Sequence, residues 1–118
     1  RGVRVVTDHP RCGEPTLEGL YMRGSREVVV CRRGDQSSTL RHEGWHLVQT
    51  LCLGKTPWLT TDEIERGLTG QDRKELVAFV RRENWPREAE ARVMAQLKPK
   101  PFFEAVDQAC STRLQQGI

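Results

Sequence analysis

The segment from Ser38 to Leu53 constrains this chain more than any other. Wound as a helix of 3.6 residues per turn, it sets Leu40, Gly44, Leu47 and Leu51 at about 160°, 200°, 140° and 180° from His42, one tight apolar stripe. The opposite face carries His42 and His46, about 40° apart and one turn from each other, with Gln49 beside them at about −20°. His42-Glu43-Gly44-Trp45-His46 is therefore an H-E-x-x-H pattern on an amphipathic helix. Such a helix packs its leucines inward and turns both imidazoles toward a cleft. Ser37 or Ser38 can cap its start, and Gly54 and Pro57 stop it.

The rest of the chain must cover that stripe. Val3 to Thr7 alternates apolar and polar residues and reads as a short strand. Gly19-Leu20-Tyr21-Met22 and Glu27-Val28-Val29-Val30-Cys31, separated by Arg23-Gly24-Ser25-Arg26, read as a hairpin. After the Ser38 helix, caps at Thr61 or Asp62 and at Asp72, and Pro86 in a first turn, predict helices near 63–68, 73–82 and 87–97. A last helix is expected over 102–115, set off by Lys98-Pro99-Lys100-Pro101. Strands about 3–31 followed by helices about 38–116 indicate one α+β domain over residues 1–118, a small N-terminal antiparallel sheet with a helical half.

Composition excludes several classes. The longest apolar run is Leu76 to Val80, far short of the roughly 20 residues that span a bilayer. The net charge is only +3, and the arginines lie among carboxylates with isolated tryptophans, so no nucleic-acid stripe is present. Arg32-Arg33 and Arg81-Arg82 read as solvated charge, and Trp58 and Trp85 as plugs at helix boundaries. Four widely spaced cysteines without a C-x-x-C pair allow three disulfide connectivities, of which Cys12 with Cys31 and Cys52 with Cys110 is favoured. Disulfides, with a chain opening at Arg1, lead to the expectation of a secreted or periplasmic protein, buried free thiols in a cytoplasmic one being the alternative.

The two imidazoles can reach one metal ion, and Glu43, about 100° round from His42, is placed to hold a water and accept its proton. A catalytic zinc takes a third protein ligand. The only other histidine is His9, and Gln49 stands where a longer H-x-x-G-x-x-H extension would need glycine, with no histidine after His46 to complete it. Glu88 and Glu90 are the acidic candidates; they point about 200° apart on a helix, so only one can face the metal.

On these residues the chain resembles the gluzincin metallopeptidases, and among them the compact minigluzincins. The likeness covers the hairpin, the run Ser38 to Gln49 and Arg87-Glu88-Ala89-Glu90-Ala91. It implies a zincin-like fold in which an edge strand aligns a peptide or protein substrate and a later glutamate helix supplies the third ligand. The family's E-x-x-A-D pattern carries that ligand onto Glu88, with Ala91 in place and Glu90 as the fallback. The resemblance thus implies a monomeric zinc metalloendopeptidase with one zinc ion on His42, His46 and Glu88 and with Glu43 as general base. Arg92 departs from the pattern by replacing an aspartate that supports a ligating histidine, a duty left to Asp62, Asp72 or a backbone carbonyl. No oxyanion-stabilising tyrosine or histidine comes after Glu88; Tyr21, otherwise a half-buried strand aromatic, His9 or an arginine would have to serve. The alternative is a catalytically inactive zincin-like module that binds or regulates another protein.

Overall fold

The computed structural model describes the backbone of residues 2–116 and side chains as far as residue 111. Three strands, Arg4–Val6 (β1), Gly19–Met22 (β2) and Glu27–Val30 (β3), form one sheet in the order β1-β3-β2. The hairpin pairs Tyr21 with Val28 antiparallel, as its short turn demands, while Gly24 at φ 84° takes the left-handed position in that turn. β1 runs parallel to β3 with Val5 opposite Val28, so the sheet is mixed rather than antiparallel. The twelve residues between β1 and β2 carry the chain past the hairpin to its far edge, a pairing that local alternation does not encode. β3 is thereby central, and Val28, Val29 and Val30 are all buried.

Five α-helices come after the sheet: Gln36–Val48 (α1), Thr61–Gly67 (α2), Gly70–Phe79 (α3), Trp85–Met94 (α4) and Pro99–Gln116 (α5). Their starts sit slightly upstream of the expected ones because the caps differ. Asp35, not a serine, accepts from the Ser38 amide, and Thr60 and Thr69 form reciprocal capping boxes with Glu63 and Asp72. Pro99 and Pro101 lie in the first turn of α5 rather than in a linker, since first-turn residues have no intrahelical partner for the donor proline lacks. A π-turn over Gln49–Leu53 prolongs α1 until Gly54, at φ 61°, ends it. No described helix is long and apolar enough to cross a membrane.

α1 divides the interior. Leu47 joins Val28 and Val30 beneath Tyr21, Leu40 and Leu51, whereas Trp45 and Val48 join Ala91 and Met94 of α4 and Phe102 and Ala109 of α5. Trp45 is thus a core residue. Between the two clusters, on the leucine side of α1, a groove of about 580 Å³ opens against Val5, Phe103 and Val106. A Cβ added at Gly44 in this groove would meet nothing within 4 Å. Gly44→Ala is therefore expected to stabilise the fold by about 0.5–1 kcal/mol through helix propensity, read as a raised thermal midpoint. A lowered midpoint would show that α5 closes onto α1 at that point.

Two disulfides tie these parts together. Cys12–Cys31 joins the loop before β2 to the end of β3, and Cys52–Cys110 joins the π-turn to α5, with Cα atoms 5.5 and 4.8 Å apart. Loops of 19 and 58 residues correspond to about 3 and about 4 kcal/mol of lost unfolded-chain entropy in the loop-closure model. Arg33 is not solvated charge. Its guanidinium donates to the carbonyls of Cys12, Glu14 and Leu17 and so fixes the loop that delivers β2.

Candidate metal centre

The N-terminal third of α4 faces the histidine side of α1. Glu88 reaches across with both oxygens, Oε1 2.8 Å from His42 Nε2 and Oε2 2.9 Å from His46 Nε2. Ligand atoms of His42, His46 and Glu88 all lie within 4.8 Å of one another, and the imidazole centroids are 5.1 Å apart. These three side chains could hold a metal ion. Two imidazole nitrogens and a carboxylate oxygen are a donor set that zinc accepts, and a tetrahedral zinc at about 2.0–2.1 Å needs its ligand atoms about 3.4 Å apart, within reach of this cluster.

Glu90 takes no part in that cluster. It is 2% exposed and points into the core. There Oε1 accepts from Trp45 Nε1–H at 2.7 Å and from Gln49 Nε2–H at 3.1 Å, and Oε2 accepts from the Trp58 and Leu59 amides at 2.8 and 3.0 Å. The fallback assignment of Glu90 as ligand is thereby replaced by a structural role that sequence reading missed. Gln49 also touches the site itself, with Oε1 2.8 Å from His46 Nδ1 and Nε2 3.0 Å from the Arg87 carbonyl. Its helical phase beside the histidines was the signal for that contact.

Glu43 sits between α1 and β2. The backbone amide of Tyr21 donates to its carboxylate, and β2 can come this close because residue 19 is glycine. A Cβ there would stand 2.5 Å from Thr39 Cγ2 and 2.6 Å from the Val29 carbonyl. Burial pushes the Glu43 carboxyl up from its ordinary value and outweighs the imidazoles of His42 and His46, which pull it down. A raised carboxyl is better matched to proton transfer near neutrality.

The remaining candidates fall elsewhere. Tyr21 packs against the sheet cluster with its hydroxyl 3.5 Å from the Ser25 carbonyl, and His9 Nδ1 accepts from the Arg11 amide at the head of a 3₁₀ turn. Trp58 packs on the α4–α5 core, while Trp85 donates to the Val80 carbonyl under the Arg82 guanidinium, 5.0 Å from the ring centroid. Arg92 places Nε 3.4 Å from Glu88 Oε1 and is held by Asp72 and Glu75 of α3. Asp72, a candidate acceptor for a ligating histidine, is thus engaged by Arg92.

Electrostatics bind Glu88 to the histidines even without an ion. Burial raises its carboxyl, but hydrogen bonds and charge from His42 and His46 hold it far below the ordinary range. Burial lowers His46, yet Glu88, Gln49 and Glu43 together lift it above its ordinary value. A depressed carboxyl stabilises the fold above about pH 4.3 and loses this as pH falls; a raised imidazole stabilises it below about pH 6.5 and loses this as pH rises through its folded value. With metal removed, the contribution of this contact is therefore expected to be greatest between about pH 4.5 and 6.5. Urea midpoints across pH in chelator should fall on the alkaline side for the wild type and flatten there in His46→Gln.

Comparison with protein-family models, with curated proteins and with solved structures finds no match to this chain.

Proposed function

We propose that this protein is a zinc-dependent metallopeptidase of gluzincin type that hydrolyses peptide bonds outside the reducing cytoplasm. The observation that carries the reading is Glu43: a half-buried carboxylate beside a His–His–Glu donor set, tethered to the edge strand β2. A purely structural zinc site has no use for such a base. His42, His46 and Glu88 would hold the ion, which when bound supplies Lewis acidity and lowers the pKa of its water. Glu43 accepts the proton of the attacking water and passes it to the leaving amine. β2, unpaired within the sheet on its outer side, offers backbone groups to an extended substrate. Two disulfides support a secreted or periplasmic setting.

A second reading, an inactive zincin-like module that binds another protein, is favoured by one observation, the Arg92 guanidinium set against the ligand Glu88. Zinc content and hydrolysis of an unstructured protein such as casein separate the two. One zinc per chain, with cleavage lost on treatment with phenanthroline and restored by zinc, is the expected result. Zinc without cleavage would leave the binding module standing, and no zinc even after loading would remove the metal reading.

A further inference from the structure

We propose that Gln49 is a positioning residue that holds the proton of His46 on Nδ1, leaving Nε2 to a metal ion, and that Glu90 gives Gln49 its orientation. The inference rests on the metal reading above and extends it from the ligands to what aims them. An amide side chain has one accepting and one donating end, and which end faces which neighbour is decided by the surrounding hydrogen bonds. Around Gln49 they leave one choice. Nε2 lies 3.0 Å from the Arg87 carbonyl and 3.1 Å from Glu90 Oε1. A carbonyl never donates. Both oxygens of Glu90 face N–H groups that can only donate, Trp45 Nε1–H on one and the Trp58 and Leu59 amides on the other. The NH₂ end of Gln49 must therefore point to Arg87 and Glu90, and its Oε1 must point to His46 Nδ1, 2.8 Å away.

Two acceptors cannot meet, so His46 Nδ1 carries a hydrogen. Its partner nitrogen, Nε2, is the one facing Glu88 at 2.9 Å, in the direction a shared ion would occupy. The imidazole is then held in the tautomer and ring orientation a ligand needs, as metal-bound histidines generally are by a carboxylate or carbonyl acceptor. Here a glutamine takes that duty, three residues along the chain, and a core carboxylate polarises it. The same Glu90 also ties down Trp58 and Leu59. His46 is thus aimed by the packed core and not by a flexible surface acceptor.

The test compares wild type with Gln49→Met, which keeps length but loses both amide ends, and Gln49→Glu, which keeps an acceptor toward His46. Zinc affinity by competition with a chelator, ¹⁵N-resolved spectra of the His46 ring, and thermal midpoints are measured for each. In the wild type a slowly exchanging Nδ1 proton on His46 is expected with and without zinc. In Gln49→Met that protection should be lost and zinc affinity should fall about 10–100-fold. In Gln49→Glu, despite a lowered midpoint from its repulsion with Glu90, the Nδ1 proton should persist. A merely structural role predicts affinity tracking the thermal midpoint and an unchanged ring proton in all three. Affinity within about twofold of wild type in folded Gln49→Met, or zinc on Nδ1 with the proton on Nε2, would overturn the proposal. Were the wild type to bind no zinc, the metallopeptidase reading would fall, while the protected Nδ1 proton would still decide the role of Gln49.

Discussion

Glu43→Gln is expected to keep its zinc and to lose peptide hydrolysis by roughly 10²–10⁴-fold, the usual contribution of a positioned general base. The substitution preserves shape and can still accept from the Tyr21 amide, so β2 should stay against α1. What it removes is the ability to take a proton. Because burial holds the carboxyl above its ordinary value in the native protein, its ionisation opposes folding, and the glutamine variant should be at least as stable as wild type near neutrality. Stability unchanged or raised, zinc retained and hydrolysis lost is a combination that misfolding cannot produce. Full activity in Glu43→Gln would mean that water is activated by some other residue, and the mechanism assigned to this face of α1 would be abandoned.

How far these features are legible in the sequence depends on the range of the interaction that sets them. The α1 helix, its two faces and the hairpin arise from local periodicity, and the structure keeps them. Helix starts slipped because several adjacent polar residues can cap, and only backbone geometry selects Asp35 over Ser37 or Ser38. The parallel partner of β1 lies 23 residues on, where alternation has nothing to say about pairing. Helical phase separates Glu88 from Glu90 by about 200° but does not say which of the two meets α1. That is settled by packing: Ala91 and Met94 bury against Trp45 and Val48, which turns Glu90 inward beside the indole and Glu88 outward to the histidines. The E-x-x-A spacing favoured Glu88 by resemblance, without the physical reason. Gln49 could be placed beside the histidines by phase, while its anchoring on Glu90 requires a contact 41 residues distant.

The two glutamates of α4 should consequently fail in opposite ways. Glu88→Ala is expected to fold, since Glu88 is partly exposed and its main partners are the imidazoles, but to lose its zinc, because two histidines alone leave the ion short of a ligand. Glu90→Ala is expected to lose roughly 3–5 kcal/mol of stability, as when one partner of a buried polar or charged network is removed. The magnitude reflects what stays behind: the Trp45 indole and two backbone N–H groups, each buried or half-buried and left without an acceptor at a cost of about 1–3 kcal/mol before relaxation, while the Gln49 amide keeps only the Arg87 carbonyl. Since a domain of this size has about 5–15 kcal/mol in total, the variant should unfold at markedly lower urea, and while folded it should bind zinc more weakly, through the loosened Gln49, but not lose it. Glu90→Gln sharpens the comparison. It fills the same volume but must turn an NH₂ group toward either the indole and Gln49 or the two amides, setting donor against donor, so it too should be destabilised, though less than the alanine variant. Denaturation curves and elemental analysis of the three proteins give the answer together. A Glu90→Ala protein with wild-type stability and no zinc would exchange the roles of the two carboxylates.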